Sequence, residues 1–152
     1  MPSYWKEDIP KKAKKPGKIP YQSKAMQALN AKYSKVLDEI DQERDPVCQG
    51  CGKPEFEHSH SIPRNYNCYA YFLKKKNIWR LCRDCHVAYE AGRVWTLACG
   101  EKIMQNIWKL DEQYYMQKSE QLRKRLSEYR EKNWLALSNN TLTLPEWTKD
   151  YE

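Results

Sequence analysis

The chain has 152 residues, of which 31% are charged, and its 27 lysines and arginines outnumber 20 aspartates and glutamates to give a formal net charge of +7. No apolar run approaches the roughly 18 residues of a membrane-spanning helix, and the N-terminus lacks the apolar segment of a secretory signal. We therefore expect a cytoplasmic protein with no membrane partner. The positive charge favours a polyanionic partner, since phosphate neutralisation dominates nucleic-acid affinity.

Residues 1–22 predict a flexible basic arm, because four prolines prevent a continuous helix and few apolar side chains are present to form a core. The lysines of this arm either solubilise the chain or bind the phosphates of a nucleic acid, with salt-sensitive affinity. The candidate nucleic-acid-binding lysines are Lys11, Lys12, Lys14 and Lys15.

Residues 23–45 predict a helix, since apolar side chains recur there at steps of three and four. Ser23 is suited to cap its N-terminus. Asp45 and Pro46 end it, because the residue before a proline avoids the α region. The apolar stripe is expected to pack on the segment that follows.

The central segment, residues 46–92, contains two Cys-x-x-Cys pairs, Cys48 with Cys51 and Cys82 with Cys85. Two such pairs complete the tetrahedral shell of a structural zinc ion. The two remaining cysteines stand singly in the sequence, which is typical of a reducing compartment rather than of a disulfide framework.

All three histidines lie in the same segment, His58 and His60 after the first cysteine pair and His86 directly after the last cysteine. Imidazole can both accept a proton near neutral pH and bind a divalent metal ion. Their clustering around a predicted zinc site favours a functional role over three unrelated core histidines.

His60 stands three residues before Pro63, Asn77 stands five before Cys82, and His86 directly follows Cys85. This pattern resembles the HNH endonuclease family. The resemblance implies an α+β fold, with a small zinc-stabilised ββα-metal core. Here that core would be flanked by an N-terminal helix and by charged C-terminal helices.

The resemblance also implies roles for individual residues. His60 would be the general base that activates water, Asn77 would hold the base-bearing segment through backbone hydrogen bonds, and His86 would bind a catalytic Mg²⁺ or Mn²⁺ ion. Many family members carry a metal-binding Asp or His directly before the base, where this chain has Ser59. The ion is therefore expected on His86, with help from His58 or Ser59.

Basic residues accompany the pattern. Arg64 is a candidate phosphate clamp, because a guanidinium group forms bidentate contacts with phosphate. The triplet Lys74, Lys75 and Lys76 directly precedes Asn77. It either attracts the DNA backbone and stabilises charge on the scissile phosphate, or it is a solvated turn.

Residues 93–137 predict a helical extension with a break near Gly100, and residues 138–152 predict an extended tail because their helix propensity is weak. Most charged residues of the extension are expected to form a solvent-exposed face, beside apolar residues at helical spacing that include Leu122 and Leu126. These helices either lie along DNA or associate in a homo-oligomer.

The layout is also similar to the NinG-type recombination nucleases of lambdoid phages, which share a small residue before the base His, as at Ser59, and an Arg shortly after it, as at Arg64. That likeness implies phage or mobile-element DNA processing in the cytoplasm of a bacterial host. Two other functions are compatible with the sequence. One is a zinc-stabilised nucleic-acid-binding module without catalysis, and the other is a phage structural or packaging-associated protein that assembles through its helices.

Overall fold

The computed structural model describes residues 23–152, and the predicted basic arm with Lys11, Lys12, Lys14 and Lys15 lies outside the described residues. The chain divides into two units, residues 1–31 and residues 32–152. Helix α1 (Lys24–Glu43) begins in the first unit. The Ser23 hydroxyl accepts a hydrogen bond from the backbone N–H of Met26 at 3.1 Å. This bond satisfies a free amide of the first turn, so the helix begins where the sequence predicts.

Arg44 directly follows α1 and anchors the C-terminal end of this helix, which belongs to the second unit. Its guanidinium donates to the backbone carbonyl of Ile78 at 2.6 Å and to that of Lys75 at 3.0 Å. Ile40, in the last turns of α1, is fully buried. The end of the helix is therefore held against the segment that enters the second strand.

Two short strands form the sheet. Strand β1 (Glu57–His60) pairs antiparallel with β2 (Ile78–Leu81), so that Ser59 lies opposite Trp79. All four residues of β2 are buried, including Arg80, whose guanidinium donates to the backbone carbonyl of Arg44 at 3.1 Å. Helix α2 (Arg83–Glu90) follows directly, and Gly92, at a φ of 78°, takes the left-handed conformation that commonly ends a helix. The fold class is α+β, as predicted.

The remaining helices build most of the core. A 3-10 helix at Val94–Thr96 precedes α3 (Gly100–Leu110), α4 (Glu112–Lys132) and the short α5 (Trp134–Ser138). The break predicted near Gly100 is the start of α3, where an added Cβ would lie 2.2 Å from the carbonyl oxygen of Val94. Side chains that are fully buried between these helices and the hairpin include Ile62, Val94, Ile103, Ile107, Leu122 and Leu126.

The C-terminal segment differs from the prediction of an extended tail, since a 3-10 helix spans Glu146–Tyr151. Thr148 and Tyr151 are buried, and the Tyr151 hydroxyl lies 2.9 Å from that of Tyr115 on α4. Tertiary packing of these side chains therefore outweighs the weak local helix propensity.

Among the helices of residues 23–152, none combines the length and the apolarity needed to cross a bilayer.

Candidate active site

The four predicted zinc ligands converge in the structure. The sulfur atoms of Cys48, Cys51, Cys82 and Cys85 all lie within 4.8 Å of one another. Cys82 caps α2, where its Sγ accepts a hydrogen bond from the backbone N–H of Cys85 at 3.5 Å. An added Cβ at Gly50 would lie 2.8 Å from the Cys85 sulfur, so only glycine fits between the two cysteine pairs without displacement. The cluster can hold a metal ion.

The surroundings of Cys48 favour a thiolate. Burial opposes its ionisation, but hydrogen bonds from the backbone N–H groups of Cys82, Cys51 and Gly50 outweigh burial and lower the pKa of Cys48 to about 6. The thiolate is the form that binds a metal ion. The donor set and its hydrogen bonds therefore fit a structural metal site.

A cleft of about 510 Å³ lies between strand β1, the loop after it, α2 and α4. Strand β1 contributes His58, Ser59 and His60, the loop after it contributes Arg64, and α2 contributes His86. The other residues that line the cleft are Tyr33, Ser61, Pro63, Tyr89, Glu90, Tyr114 and Lys118. The structure thus brings five of the residues singled out from the sequence into one cavity.

His60 is held as a neutral imidazole. Its ring stacks on Tyr33 and on Phe72, each at 5.4 Å between centroids. Burial is the main cause that lowers the pKa of His60 to about 4, and the positive charge of Arg64 adds to it. A hydrogen bond to the backbone of Phe72 favours the protonated form and partly opposes this shift. The sequence led us to expect a pKa near the working pH, and desolvation is the reason for the lower value.

The Nε2 atom of His60 is buried and has no hydrogen-bond partner among the described residues. The hydrogen bond to Phe72 therefore uses Nδ1, and because Nδ1 donates it, Nε2 carries the free lone pair. In this tautomer Nε2 is the ring nitrogen that can accept a proton.

Asn77 is fully buried, and its side chain binds the residues that follow His60. Its Oδ1 accepts hydrogen bonds from the Ser61 hydroxyl at 2.7 Å and from the backbone N–H of Ile62 at 2.6 Å. Its Nδ2 donates to the carbonyls of Ile62 at 3.0 Å and Tyr71 at 3.2 Å. The amide therefore fixes the chain where it leaves β1.

His86 lies between two carboxylates that the sequence reasoning did not single out. Its Nδ1 is 2.5 Å from Oε1 of Glu57, and its Nε2 is 3.1 Å from Oε1 of Glu90. The hydrogen bond with His86 is the main cause of a lowered pKa at Glu57, with the charges of His86 and Arg83 adding to it. Glu90 stands four residues after His86 on α2, so helical spacing was a signal that could have identified it.

The residues predicted to share a catalytic ion with His86 have other contacts. His58 Nε2 lies 2.9 Å from a carboxylate oxygen of Asp41 on α1, and Ser59 is buried. Within residues 23–152, the cysteine tetrad is the one group of three or more His, Cys, Asp and Glu side chains whose ligand atoms converge closely enough for a metal ion. His58, Ser59 and His86 share the cleft without forming a ready-made shell.

The predicted lysine triplet divides into two kinds of environment. The ammonium of Lys75 is paired with Glu39 at 3.0 Å and with Glu43 at 2.8 Å, both on α1. Lys74 and Lys76 are exposed, and neither lines the cleft. The triplet is therefore partly neutralised, and two of its charges remain on the surface.

Lys118 is a cleft residue that the sequence reasoning missed, because it lies in a helix that reads as a solvated charged face. It is 6% exposed. Its ammonium donates to the backbone carbonyl of Tyr89 at 3.3 Å and lies 3.9 Å from the centre of the Tyr89 ring. Burial lowers the pKa of Lys118 to about 8, while the charge of Glu90 opposes that shift.

Comparison of the chain with protein-family models, with curated proteins and with solved structures found no match.

Proposed function

We propose that this protein is a metal-dependent endonuclease of the HNH type that hydrolyses DNA phosphodiester bonds in phage or mobile-element DNA processing. The observation that carries the proposal is that His60, whose buried Nε2 has no hydrogen-bond partner among the described residues, lines one cleft with His86 and Arg64. A neutral imidazole with a free ring nitrogen can take the proton of an attacking water. Cationic side chains beside it suit an anionic substrate.

Zinc is the ion that we propose for the cysteine tetrad. Four sulfur ligands without an open position are typical of structural zinc, which does no chemistry itself. Such an ion would hold the N-terminus of α2, with Cys82 and Cys85, against the loop that carries Cys48 and Cys51. The small hairpin would gain most of its stability from this link.

A second divalent ion, Mg²⁺ or Mn²⁺, is proposed on His86. Glu57 and Glu90 place carboxylate oxygens beside its ring, and hard cations prefer oxygen ligands. Glu57 stands two residues before Ser59 and so on the same face of β1, where it can replace the ligand that Ser59 lacks; His58 remains the alternative from the sequence. When bound, the ion would stabilise the leaving oxygen as a Lewis acid.

Three residues of the chain have further roles in the proposed reaction. His60 accepts the proton of water at Nε2, while its hydrogen bond to Phe72 holds the ring orientation. Asn77 positions His60 through the hydroxyl of Ser61 and the backbone of Ile62, and it does not touch the substrate. Arg64, which is exposed at the cleft, neutralises phosphate oxygens.

The decisive experiment is cleavage of supercoiled plasmid DNA by the parent and by His60→Ala, with Mg²⁺, Mn²⁺ or EDTA. We expect His60→Ala to cut at least about 100-fold more slowly, the typical contribution of a general base, with unchanged metal content and circular dichroism. Trp134→Ala, which removes an exposed aromatic ring on α5, is the control and should cut at the parent rate. Equal rates for parent and His60→Ala would rule out the base assignment.

A non-catalytic nucleic-acid-binding module is the second candidate. The buried Ser59 at a ligand position and the lack of a ready-made second metal shell among residues 23–152 favour it. The same plasmid experiment separates the two functions. DNA binding in a gel shift without any metal-dependent cleavage, at any metal concentration, would favour the module.

A further inference from the structure

Lys118 is unusual among the lysines described because its ammonium is buried in a cleft without a carboxylate partner. The residue is 6% exposed. Its named contacts are a carbonyl oxygen and an aromatic face, both of Tyr89. Across residues 23–152 it forms no ion pair, and the nearby Glu90 is engaged with His86 at 3.1 Å.

An ammonium group in this setting has capacity to bind a ligand. It carries three donors, and one of them is used by the Tyr89 carbonyl. Burying a cation costs free energy unless it is paired, so a side chain with a purely structural role would be more stable here if it were apolar. An anion in the cleft would both supply the missing partner and use the free donors.

The position of Lys118 makes one side of the cleft basic. Helix α4 presents Tyr114 and Lys118 to it, one helical turn apart. Arg64 enters from the loop after β1, close enough to His60 to lower the pKa of that imidazole. Within the described residues Arg64 has no carboxylate ion pair, and it is exposed. Two cationic side chains therefore line the cleft that His60 also lines.

We propose that Lys118 and Arg64 form a phosphate-binding site in this cleft, where they hold the non-bridging oxygens of a nucleic-acid phosphodiester beside His60. The identity of the ligand as a phosphodiester rests on the nuclease function proposed above, whereas the capacity to bind phosphate does not. Arg64 supplies a planar fork for two oxygens, and Lys118 supplies a compact, buried charge. Helix α4, outside the segment that resembles HNH nucleases, thereby contributes directly to the site.

The test measures binding of inorganic phosphate to the metal-loaded full chain by ³¹P NMR titration, at constant ionic strength and without added Mg²⁺. Lys118→Met keeps the length and the apolar stem of the side chain and removes its charge. We expect at least a tenfold loss of phosphate affinity in Lys118→Met and in Arg64→Gln, with Lys118→Arg retaining most of it. Lys109→Met, which removes an exposed lysine of α3, is the control and should bind as the parent does.

The outcomes test the phosphate-binding site independently of the proposed nuclease function. Phosphate affinity in Lys118→Met equal to that of the parent overturns the site, even if the parent cuts DNA. Loss of binding in Lys118→Met and Arg64→Gln supports it, even if the parent fails to cut. Should Lys118→Met not fold, Arg64→Gln decides the matter, because Arg64 is an exposed loop residue and unchanged affinity in this variant refutes the proposal.

Discussion

Replacing Asn77 with alanine tests how the segment around His60 is held. The Asn77 side chain is fully buried and bonds to both the N–H and the carbonyl of Ile62, to the Ser61 hydroxyl and to the carbonyl of Tyr71. Alanine would remove all four hydrogen bonds and leave their partners in an enclosed space. The perturbation is confined to the side chain, since the backbone carbonyl of Asn77 would still accept from the N–H of Ser61 at 2.9 Å.

The expected magnitude follows from the partners that lose their bonds. A buried donor or acceptor without a partner costs about 1–3 kcal/mol. Three backbone groups and one hydroxyl are affected. Because neighbouring losses are not additive and water can enter the space, we expect Asn77→Ala to lower the free energy of unfolding by about 3–5 kcal/mol.

Urea unfolding of the metal-loaded protein, followed by tryptophan fluorescence, measures this difference. Asn106→Ala is the matched control, because Asn106 is also buried but donates one named hydrogen bond, to the Lys76 carbonyl at 3.3 Å. That variant should lose about 1 kcal/mol. A loss in Asn77→Ala no larger than in Asn106→Ala would show that the amide is not what fixes the chain after β1.

Three further predictions concern the metal, the buried imidazole and the core. A strong chelator, or Cys85→Ser, should abolish the cooperative melting of the hairpin and α2 in circular dichroism, since structural zinc contributes about 10–16 kcal/mol; an unchanged melting curve would contradict this. Because the pKa of His60 is lowered from 6.5 to about 4, the unfolded chain binds more protons between these values. The free energy of unfolding should therefore fall by about 2 kcal/mol more in the parent than in His60→Gln as the pH drops from 6.5 to 4, measured by urea titrations, and equal slopes would refute the burial argument. Leu126→Ala should cost about 2–5 kcal/mol in the same assay, as the side chain is fully buried, whereas Leu135→Ala on the exposed face of α5 should cost under about 0.5 kcal/mol.

Features that depend on residues close in sequence were predictable. The Cys-x-x-Cys spacing predicts that each pair can share one ion, and two pairs predict the tetrad that the structure contains. The cap at Ser23 predicts the start of α1 within one residue. In each case the geometry is set by a few neighbouring dihedral angles, so local rules are sufficient.

Features that depend on how distant elements pack against one another could not be predicted from local sequence patterns. From the sequence, Lys118 is one more charge on a solvated helix, because its contact with Tyr89 joins residues 29 positions apart. Tyr151 reads as part of a tail, although the Tyr115 hydroxyl and the core of α4 hold it in place. The contact of Glu57 with His86 requires the packing of α2 on the hairpin. Such contacts follow from tertiary structure, about which periodicity carries no information.

The position of α2 links the cysteine tetrad to the cleft. An isolated helix of this length, Arg83–Glu90, is unstable in water, so its two ends must be held by other parts of the fold. At the first end lie the sulfur atoms of Cys82 and Cys85. At the second end the Tyr89 hydroxyl donates to the Ser61 carbonyl and the Tyr89 carbonyl accepts from Lys118. Loss of the tetrad ion would release the first end, and with it the ring of His86. The catalytic step that we propose therefore requires the structural ion, although none of the four sulfur ligands lines the cleft.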